Sequence, residues 1–281
     1  MGYKTITVKP ISGALGAEIE GVDLSKELSN ETFDDIHQAF LDHVVIFFRD
    51  QHLTHEQHKA FGRRFGTLNI HPYVKGMDEH PEIMQIIKEP EDRINFGGGW
   101  HSDMSFLEKP ALGSILYAKE VPPYGGDTLW ANQYLAYETL SDGMKKMLEG
   151  LTAIHTAKGE YSERGHSAQK RQSMNIDTAG DDTPSYEHPV VRTHPETGRK
   201  ALYVNPAFTE RFSGMTKRES RPLLNFLFEH CTQEPLTCRF RWTPNALAFW
   251  DNRAAQHFAL NDYHGYRRHM ERVTVDGDKP F

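Results

Sequence analysis

The sequence predicts a mainly β protein with flanking helices, and three observations support this fold class. Cys238, Phe240 and Trp242 alternate with arginines, a pattern typical of a strand with one buried face. Two further strand-like segments follow at residues 246–250 and 268–275, separated by turn-forming residues. The chain of 281 residues is 38% hydrophobic and 25% charged, which suffices for a buried core. Many short strands with few helices favour a sandwich or jelly roll with helices packed outside.

Four helices are expected where apolar residues recur on one face, namely at residues 31–43, 54–65, 142–148 and 221–231. Capping residues precede them, and Gly66 and Gly150 follow two of them. The start of the fourth helix is ambiguous. Thr216 and Glu219 match a capping box, but that choice places Pro222 inside the helix. Ser220 as the cap conflicts less, because Pro222 then falls in the first turn, so we prefer it.

The remaining strands are expected in the first third of the chain. Glycines between apolar residues predict strands and tight turns over residues 11–25, and two short apolar runs predict strands at 44–48 and 83–87. Residues 157–187 differ, since they are mostly polar with few large apolar side chains. A long segment of this kind in a compact domain is typical of a functional lid or of a disordered segment. We therefore expect one domain over residues 1–281, with a lid insertion at 157–187.

Composition excludes several classes of protein. The net charge of −7 and the lack of a basic block argue against nucleic-acid binding, which needs phosphate neutralisation. Cys231 and Cys238 are too few for a disulfide framework and indicate a reducing compartment. No apolar run reaches the length of a membrane span or a signal core. We expect a cytoplasmic protein that binds neither nucleic acid nor membrane.

A metal site is predicted from side chains that are distant in sequence. His101 and Asp103 are two residues apart, so on an extended strand both point to the same side. His257 follows an apolar strand and a turn, at a place where ligands gather. His-x-Asp alone is weak in a chain with 16 histidines. Two imidazoles and one carboxylate leave three coordination positions free, which suits Fe(II) with a chelating co-substrate and dioxygen.

Two arginines and a threonine indicate anion binding beside this metal. Arg268 and Arg272 are four residues apart in a strand pattern and therefore share a face. A guanidinium matches a carboxylate bidentately, so two inward arginines imply two anionic groups, or one anion and one internal ion pair. Thr128 ends a Gly-Gly-Asp-Thr turn and could donate to a carboxylate; a strand-edge threonine is the alternative.

Several long motifs, in order and at similar spacing, resemble the taurine dioxygenase (TauD/TfdA-like) family of Fe(II)- and 2-oxoglutarate-dependent dioxygenases. The resemblance covers nearly the whole chain. Its motifs are Trp100-His101-Ser102-Asp103, residues 125–130, residues 188–195, Trp250 to His257, Arg268 and Arg272. It implies a double-stranded β-helix, a distorted jelly roll, as the core. It also implies Fe(II) as the metal, 2-oxoglutarate and dioxygen as co-substrates, and a homo-oligomer.

The resemblance assigns roles to individual residues. By the match, His101, Asp103 and His257 are the catalytic iron ligands, and Thr128 and Arg268 hold the far carboxylate of 2-oxoglutarate. The residues matched to substrate binding are Arg272 for an acidic group, Phe208 for an aromatic wall, and His71 and Tyr73 for polar contacts. Taurine enzymes have an asparagine four residues before the first iron histidine, where this chain has Gly97. That difference argues against taurine and for another small acidic substrate.

The predicted activity is hydroxylation of a sulfonate, alkyl sulfate or carboxylate, with decarboxylation of 2-oxoglutarate to succinate. Within the family, taurine dioxygenases and aryloxyalkanoate dioxygenases are the alternatives. A zinc-dependent hydrolase or isomerase on a jelly roll also fits the three ligands, but leaves Thr128 and Arg268 without a role. A non-catalytic β-sandwich binding module would need no metal trio.

Overall fold

Two sheets pack against each other in the structure, a computed structural model that describes residues 2–162, 174–178 and 183–281. The larger sheet is mainly antiparallel with one parallel pair of strands, and the smaller one is antiparallel. The strands, in chain order, are β1 (Thr7–Pro10), β2 (Ala17–Glu20), β3 (Val45–Phe48), β4 (Ile83–Lys88), β5 (Ala111–Glu120), β6 (Thr128–Asn132), β7 (Thr152–Thr156), β8 (Ser185–Pro189), β9 (Val191–Thr193), β10 (Lys200–Leu202), β11 (Thr209–Phe212), β12 (Thr237–Phe240), β13 (Leu247–Asp251), β14 (Ala255–Ala259) and β15 (Arg268–Asp276). The larger sheet has the order β1-β2-β3-β13-β5-β15-β4, and the smaller one β12-β6-β14. The predicted mainly β class is confirmed.

Large aromatic side chains fill the space between these two sheets. Phe47 of β3 stacks on Phe240 of β12 with ring centroids 4.1 Å apart, and its edge meets Trp130 of β6 at 5.2 Å. Trp130 in turn contacts Trp250 of β13. All four side chains are almost completely buried. Burial of each such ring contributes on the order of 2–3 kcal/mol, which holds the two sheets in a fixed relation around the site.

The helices lie outside the two sheets. They are α1 (Asn30–His43), α2 (His55–Arg63), α3 (Gln133–Glu138), α4 (Asp142–Leu148), α5 (Lys158–Tyr161) and α6 (Lys217–Cys231), and a short 3-10 helix spans Glu234–Leu236. Side chains of Ser29, Thr54 and Ser141 cap α1, α2 and α4 as expected, because each accepts a backbone N–H of the first turn. The second helix ends two residues earlier than predicted, and α3 and α5 were not predicted.

The preferred start of the fourth predicted helix is wrong. Thr216 caps α6, and both hydrogen bonds of its capping box with Glu219 form. Ser220 lies inside the helix, where its hydroxyl donates to the Thr216 carbonyl and accepts the Phe212 N–H. Pro222 is accommodated within the helix. The two capping bonds and the burial of Ser220 outweigh the single backbone bond that proline removes.

The predicted strands are confirmed with small shifts at their ends. Val44 has a positive φ of 67° and closes α1, so β3 begins one residue later than expected. β13 and β15 each extend one residue beyond the prediction. Within the described ranges, no helix combines the length and apolar character that a membrane span needs. Nearly half of the predicted lid at 157–187 falls on residues 163–173 and 179–182, outside the described residues.

Candidate metal and co-substrate site

His101, Asp103 and His257 converge at one end of the two sheets. One ligand atom from each lies within 4.8 Å of the others, and all three side chains are buried. An isolated β-bridge joins the two histidines, since His101 N–H donates to His257 O at 3.1 Å and His257 N–H donates to His101 O at 2.8 Å. Backbone pairing thus fixes the separation of the two imidazoles, whose ring centroids are 4.1 Å apart.

The strand expected around His101 is reduced to this single bridge. The chain enters from a glycine-rich loop and turns immediately after, with Met104 at a φ of 54°. The predicted alternation of side chains still holds over three residues. Ser102 points away from the metal position and donates to Ala255 O at 2.7 Å, while His101 and Asp103 point towards it. The extended segment is short, because the turn at Asp103 ends it.

The histidines present their Nε2 atoms to the aspartate. His101 Nδ1 lies 2.7 Å from Gly99 O, so this nitrogen carries the proton and Nε2 is left as an acceptor. His101 Nε2 and His257 Nε2 lie 3.7 and 3.9 Å from the Asp103 oxygens. Burial, followed by the effect of His101, lowers the pKa of His257 well below its usual value. Neutral imidazoles with free Nε2 lone pairs are the form that binds divalent metals.

Hydrogen bonds orient the Asp103 carboxylate from behind. Ser114 donates to Asp103 Oδ2 at 2.7 Å, and Asn252 Nδ2 donates in turn to Ser114 Oγ at 3.1 Å. Asn252 Oδ1 accepts the Asp103 backbone N–H. Arg272 Nη1 donates to Asp103 Oδ1 at 2.6 Å. Burial alone would raise the pKa of Asp103. The charge of Arg272, together with the two histidines and the Ser114 hydrogen bond, outweighs burial and holds this pKa well below its usual value. Sequence reasoning missed Ser114 and Asn252.

A second buried network fixes the turn before His257. Arg253 donates through Nε and Nη2 to both oxygens of Asp251 at 2.8 and 2.7 Å. Asp251 is also 2.9 Å from His194 Nε2, and Arg253 Nη1 donates to Glu196 at 2.6 Å. Glu196 reaches His37 of α1 at 2.8 Å. These pairs tie the β13–β14 turn to two other elements, so the position of His257 does not depend on its own strand alone.

Thr128 and Arg268 line a small cavity of about 30 Å³ beside the metal trio, as the sequence predicts for a co-substrate site. Both are buried, on β6 and β15. Gly126 makes room for the arginine, because a Cβ there would lie 3.3 Å from Arg268 Cδ. Gly126 also has a φ of +67°, which favours glycine. The Gly-Gly-Asp-Thr turn is therefore needed for the arginine to fit.

Two nitrogens of the Arg268 guanidinium lack hydrogen-bond partners among the described residues. Its Nε and Nη2 atoms are buried, and no described residue accepts from them. Burial lowers the pKa of Arg268, although Tyr263 and Asp127 oppose this effect. A buried cation with unsatisfied donors is costly, and a bound carboxylate satisfies both the charge and the hydrogen bonds. This observation fits the distal carboxylate of 2-oxoglutarate, and the chemistry of the three ligands fits the iron.

A larger cavity of about 480 Å³ opens on the other side of the metal trio. Its walls are mainly apolar and include Ile94, Phe96, Trp100, Met104, Phe208 and Phe258. Phe208 meets the His101 ring edge-on at 6.2 Å, as expected for an aromatic wall. Arg272 lines the small cavity instead, where it pairs with Asp103. The two arginines were expected to bind two anionic groups, or one anion and one internal ion pair. The structure contains the internal ion pair, between Arg272 and Asp103.

His71 lines the large cavity and Tyr73 does not. His71 Nδ1 accepts the backbone N–H groups of Tyr73 and Val74, so Nε2 carries the proton. Burial, followed by the charge of Arg272, lowers the pKa of His71 to about 3. His71 is therefore a neutral donor. Tyr73 stacks on Tyr161, which lies 4.9 Å away and itself lines the cavity.

Gly97 lies between the two cavities and contributes to both. Its φ is +76°, and a Cβ there would lie 3.4 Å from His101 Cε1. An L-amino acid at this position is strained by the backbone as well as close to the metal ligand. Since this chain has glycine, the backbone approaches the first histidine without a side chain between them.

A jelly roll with a buried His-Asp-His trio and a separate buried arginine defines the class of 2-oxoglutarate-dependent dioxygenases. The model of the taurine catabolism dioxygenase TauD, TfdA family matches residues 7–274, and the chain belongs to that family.

Named relatives agree with this assignment. An alkylsulfatase of Acinetobacter baylyi is 36% identical over 275 residues, covering 97% of this chain and 86% of that protein. An alpha-ketoglutarate-dependent sulfate ester dioxygenase of Pseudomonas putida is 35% identical over 279 residues, covering 98% and 91%. The crystal structure of a taurine dioxygenase from Burkholderia xenovorans superposes with a TM-score of 0.83 at 39% identity, covering 99% of this chain and 93% of that one. The chain is a 2-oxoglutarate-dependent dioxygenase that uses Fe(II), 2-oxoglutarate and dioxygen, and the predicted double-stranded β-helix is confirmed.

Proposed function

We propose that this dioxygenase hydroxylates a small acidic organic substrate, with a sulfate ester or sulfonate carrying an apolar group as the best fit. The observation that carries the proposal is the pair of buried arginines on one face of β15. Arg268 faces Thr128, and Arg272 reaches the metal trio. One arginine therefore serves the co-substrate. The other donates to Asp103 through Nη1 and keeps a buried Nε–H without a partner among the described residues, which is suited to an anion on the substrate.

His101, Asp103 and His257 are the proposed iron ligands. When bound, the iron supplies the oxidation of a C–H bond, coupled to the decarboxylation of 2-oxoglutarate to succinate. The protein supplies the position of the three donor atoms, through the His101–His257 bridge and the Ser114 hydrogen bond to Asp103.

Thr128 and Arg268 are the proposed partners of the distal 2-oxoglutarate carboxylate. Arg268 contributes charge and two free N–H groups, and Thr128 contributes a hydroxyl from the opposite wall of the same cavity. Because Thr128 and Arg268 are both buried, water does not compete strongly for their bonds to the carboxylate. The co-substrate is thereby held with one end fixed and its keto acid directed towards the metal position.

The substrate is proposed to place its anionic group near Arg272 and its apolar group in the large cavity. His71 adds a neutral Nε2–H donor on that side, and Phe208 excludes water from the metal position. Tyr73 supports the wall through its stacking on Tyr161 rather than by lining the cavity. Hydroxylation at the carbon bonded to sulfur or oxygen makes that bond unstable, so sulfite, sulfate or a phenol would be released, according to the substrate.

The named relatives support this substrate range, since they include enzymes of sulfate esters and of taurine. Gly97 distinguishes this chain from the taurine pattern, and most of the surface of the large cavity is apolar. We therefore place sulfate esters and sulfonates with apolar groups ahead of taurine, and aryloxyalkanoates after them. A zinc hydrolase and a plain binding module are not favoured by these relatives.

A succinate-formation screen tests the proposal. The Fe(II)-loaded enzyme is incubated with 2-oxoglutarate, air and one candidate at a time: hexyl sulfate, hexanesulfonate, taurine or phenoxyacetate. We expect hexyl sulfate or hexanesulfonate to give the largest kcat/KM, with sulfate or sulfite formed in proportion to succinate. A preference for taurine by tenfold or more would overturn the substrate assignment. Absence of succinate with every candidate, together with bound zinc, would overturn the site assignment.

Cytoplasmic location, a homo-oligomeric state and a mobile lid at 157–187 stay predictions from the sequence.

A further inference from the structure

A buried tryptophan contacts the proposed co-substrate site from outside the small cavity. Trp242 follows β12 and is 5% exposed. Its Nε1–H donates to Thr128 Oγ1 at 3.0 Å. The guanidinium carbon of Arg268 lies 5.9 Å from the centroid of the same indole. Trp242 does not line the small cavity. One side chain outside the cavity therefore touches both residues that we assign to the carboxylate.

The chemistry of the two groups fixes the direction of this hydrogen bond. An indole N–H can only donate, so Thr128 must accept from Trp242. A threonine hydroxyl has one proton and two acceptor lone pairs. With one lone pair occupied by Trp242, the hydroxyl proton is not used in this contact. It is available to be donated across the cavity that Thr128 shares with Arg268.

A carboxylate has only acceptor atoms, so it needs donors on every side. Without the indole N–H, the Thr128 hydroxyl is free to rotate, and its oxygen no longer has a fixed direction. A donor that is already oriented loses less entropy when the ligand binds. The indole is thus suited to prepare Thr128 as a donor before the co-substrate arrives.

We propose that Trp242 is a positioning residue for 2-oxoglutarate, which orients the Thr128 hydroxyl to donate to the distal carboxylate beside Arg268. This inference rests on the proposed co-substrate site at Thr128 and Arg268.

The chain provides a matched control in Trp130. This residue lies on β6, two positions from Thr128, and is completely buried. Its ring centroid is 6.4 Å from that of Trp242. Trp130 Nε1 is buried without a hydrogen-bond partner among the described residues. Replacing either tryptophan by phenylalanine removes an indole from the same core, but only Trp242→Phe removes the hydrogen bond to Thr128.

The experiment measures binding of 2-oxoglutarate by anaerobic titration calorimetry on Mn(II)-loaded protein, where no turnover occurs. We expect Trp242→Phe to raise the Kd on the order of tenfold, because the hydrogen bond from Thr128 to the charged carboxylate is weakened. Trp130→Phe should change the Kd less than twofold. In the Fe(II) enzyme, KM for 2-oxoglutarate should rise in parallel, and kcat at saturating 2-oxoglutarate should change less than threefold. Thr128→Val should raise the Kd at least as much as Trp242→Phe, and the double variant should match Thr128→Val within twofold.

The outcomes separate the inference from the site on which it rests. An unchanged Kd in Trp242→Phe, with a raised Kd in Thr128→Val, overturns the role of Trp242 and leaves the co-substrate site intact. Additive effects in the double variant overturn the route through Thr128. An unchanged Kd in both Thr128→Val and Arg268→Ala overturns the co-substrate site and the inference with it. If Trp242→Phe does not fold, 3-benzothienylalanine is introduced at position 242 instead. This residue keeps the ring shape and replaces N–H by sulfur, so we expect the same rise in the Kd.

Discussion

The small co-substrate cavity and the large substrate cavity share the metal trio but are built differently. The small one is lined by residues of regular strands, including Thr128 on β6 and the two arginines on β15. The large one is lined mostly by loop residues, including 94–100 and 206–208. Its walls are mainly apolar, whereas the small cavity is lined by two buried cations. The part of the site that serves 2-oxoglutarate is therefore rigid and charged, and the part that faces the substrate is made of segments that tolerate change.

This difference predicts how changes on each side affect the reaction. Strand positions are fixed by hydrogen bonds on both sides, so a lost side chain there removes one defined interaction. Loops connect such scaffolds and change more readily without loss of the fold. Substitutions of small-cavity residues other than Arg272 should alter 2-oxoglutarate use, and those in the large cavity should alter substrate preference. Arg272 is the exception, because it lines the small cavity but is proposed to serve the substrate.

The largest effect is expected where the two cavities meet. Asp103→Ala removes one of three ligands and leaves Arg272 without its partner. Succinate formation should fall below detection with every substrate, because the metal is lost or misplaced. Exposed Asp78, changed to alanine, is the control and should keep full activity. Normal turnover of Asp103→Ala would contradict the metal assignment.

Arg268→Ala tests the charged side. The unsatisfied guanidinium is proposed to pair with the co-substrate, so KM for 2-oxoglutarate should rise on the order of 100-fold, while KM for the organic substrate changes little. Arg267 is the adjacent control, because it points outward to Glu89 and Glu120. Arg267→Ala should leave both KM values within twofold. A rise in the KM of the organic substrate alone would show that the arginine serves the other cavity.

Arg272→Ala should give the reverse pattern. KM for an anionic substrate is expected to rise by tens of fold, because one charged partner is lost. The Kd for 2-oxoglutarate, measured anaerobically, should stay within threefold. The metal content of the purified variant must be measured too, since Arg272 also donates to Asp103. A loss of 2-oxoglutarate binding at normal metal content would mean that the roles of Arg268 and Arg272 are exchanged.

Phe208→Ala tests the apolar side. Removing the ring that faces His101 should lower kcat/KM for the organic substrate about tenfold, since burial of an aromatic ring contributes roughly 1.5–3 kcal/mol. Succinate formed without hydroxylated product should increase, whereas KM for 2-oxoglutarate should not change. Phe226→Ala, on the exposed side of α6, is the control. If Phe208→Ala impaired the use of 2-oxoglutarate as much as that of the organic substrate, the two cavities would not have separate roles.

The smallest expected effect is on the pH dependence of stability, through a buried histidine that packs beside the large cavity. His155 is completely buried, contacts Ser105 and Thr209, and has its pKa lowered by burial to about 3 from 6.5. Below pH 6.5 the unfolded chain binds the additional proton, so the free energy of unfolding falls as pH falls. Between pH 6.5 and 5.5 this group accounts for about 1 kcal/mol. Urea unfolding should show a shallower pH dependence in His155→Gln than in the wild type, and an unchanged one in His264→Gln, an exposed control. Equal slopes in all three proteins would contradict the assignment.

Sequence reasoning found the ligand trio, the two arginines and Thr128 because each lies in a motif or follows a recognisable strand. It did not find Ser114, Asn252 or Trp242, since nothing in the spacing of these residues indicates which distant side chain they contact. Asn252 alone gave a signal, as it lies in the turn that leads to His257. The start of α6 was predicted wrongly because the cost of an internal proline was weighed without the burial of Ser220. Contacts between residues distant in sequence decided the roles of Ser114, Asn252 and Trp242, whereas local capping bonds and the burial of Ser220 decided the start of α6.

The bridge between His101 and His257 connects residues separated by more than half of the chain. Closing so long a loop is slow, and a fold dominated by such distant contacts refolds slowly. We therefore expect the metal to bind after the strands have paired, because its ligands come together only when this bridge forms. The contribution of the metal to stability follows mass action on the native state alone, so added Mn(II) should slow unfolding much more than it accelerates refolding.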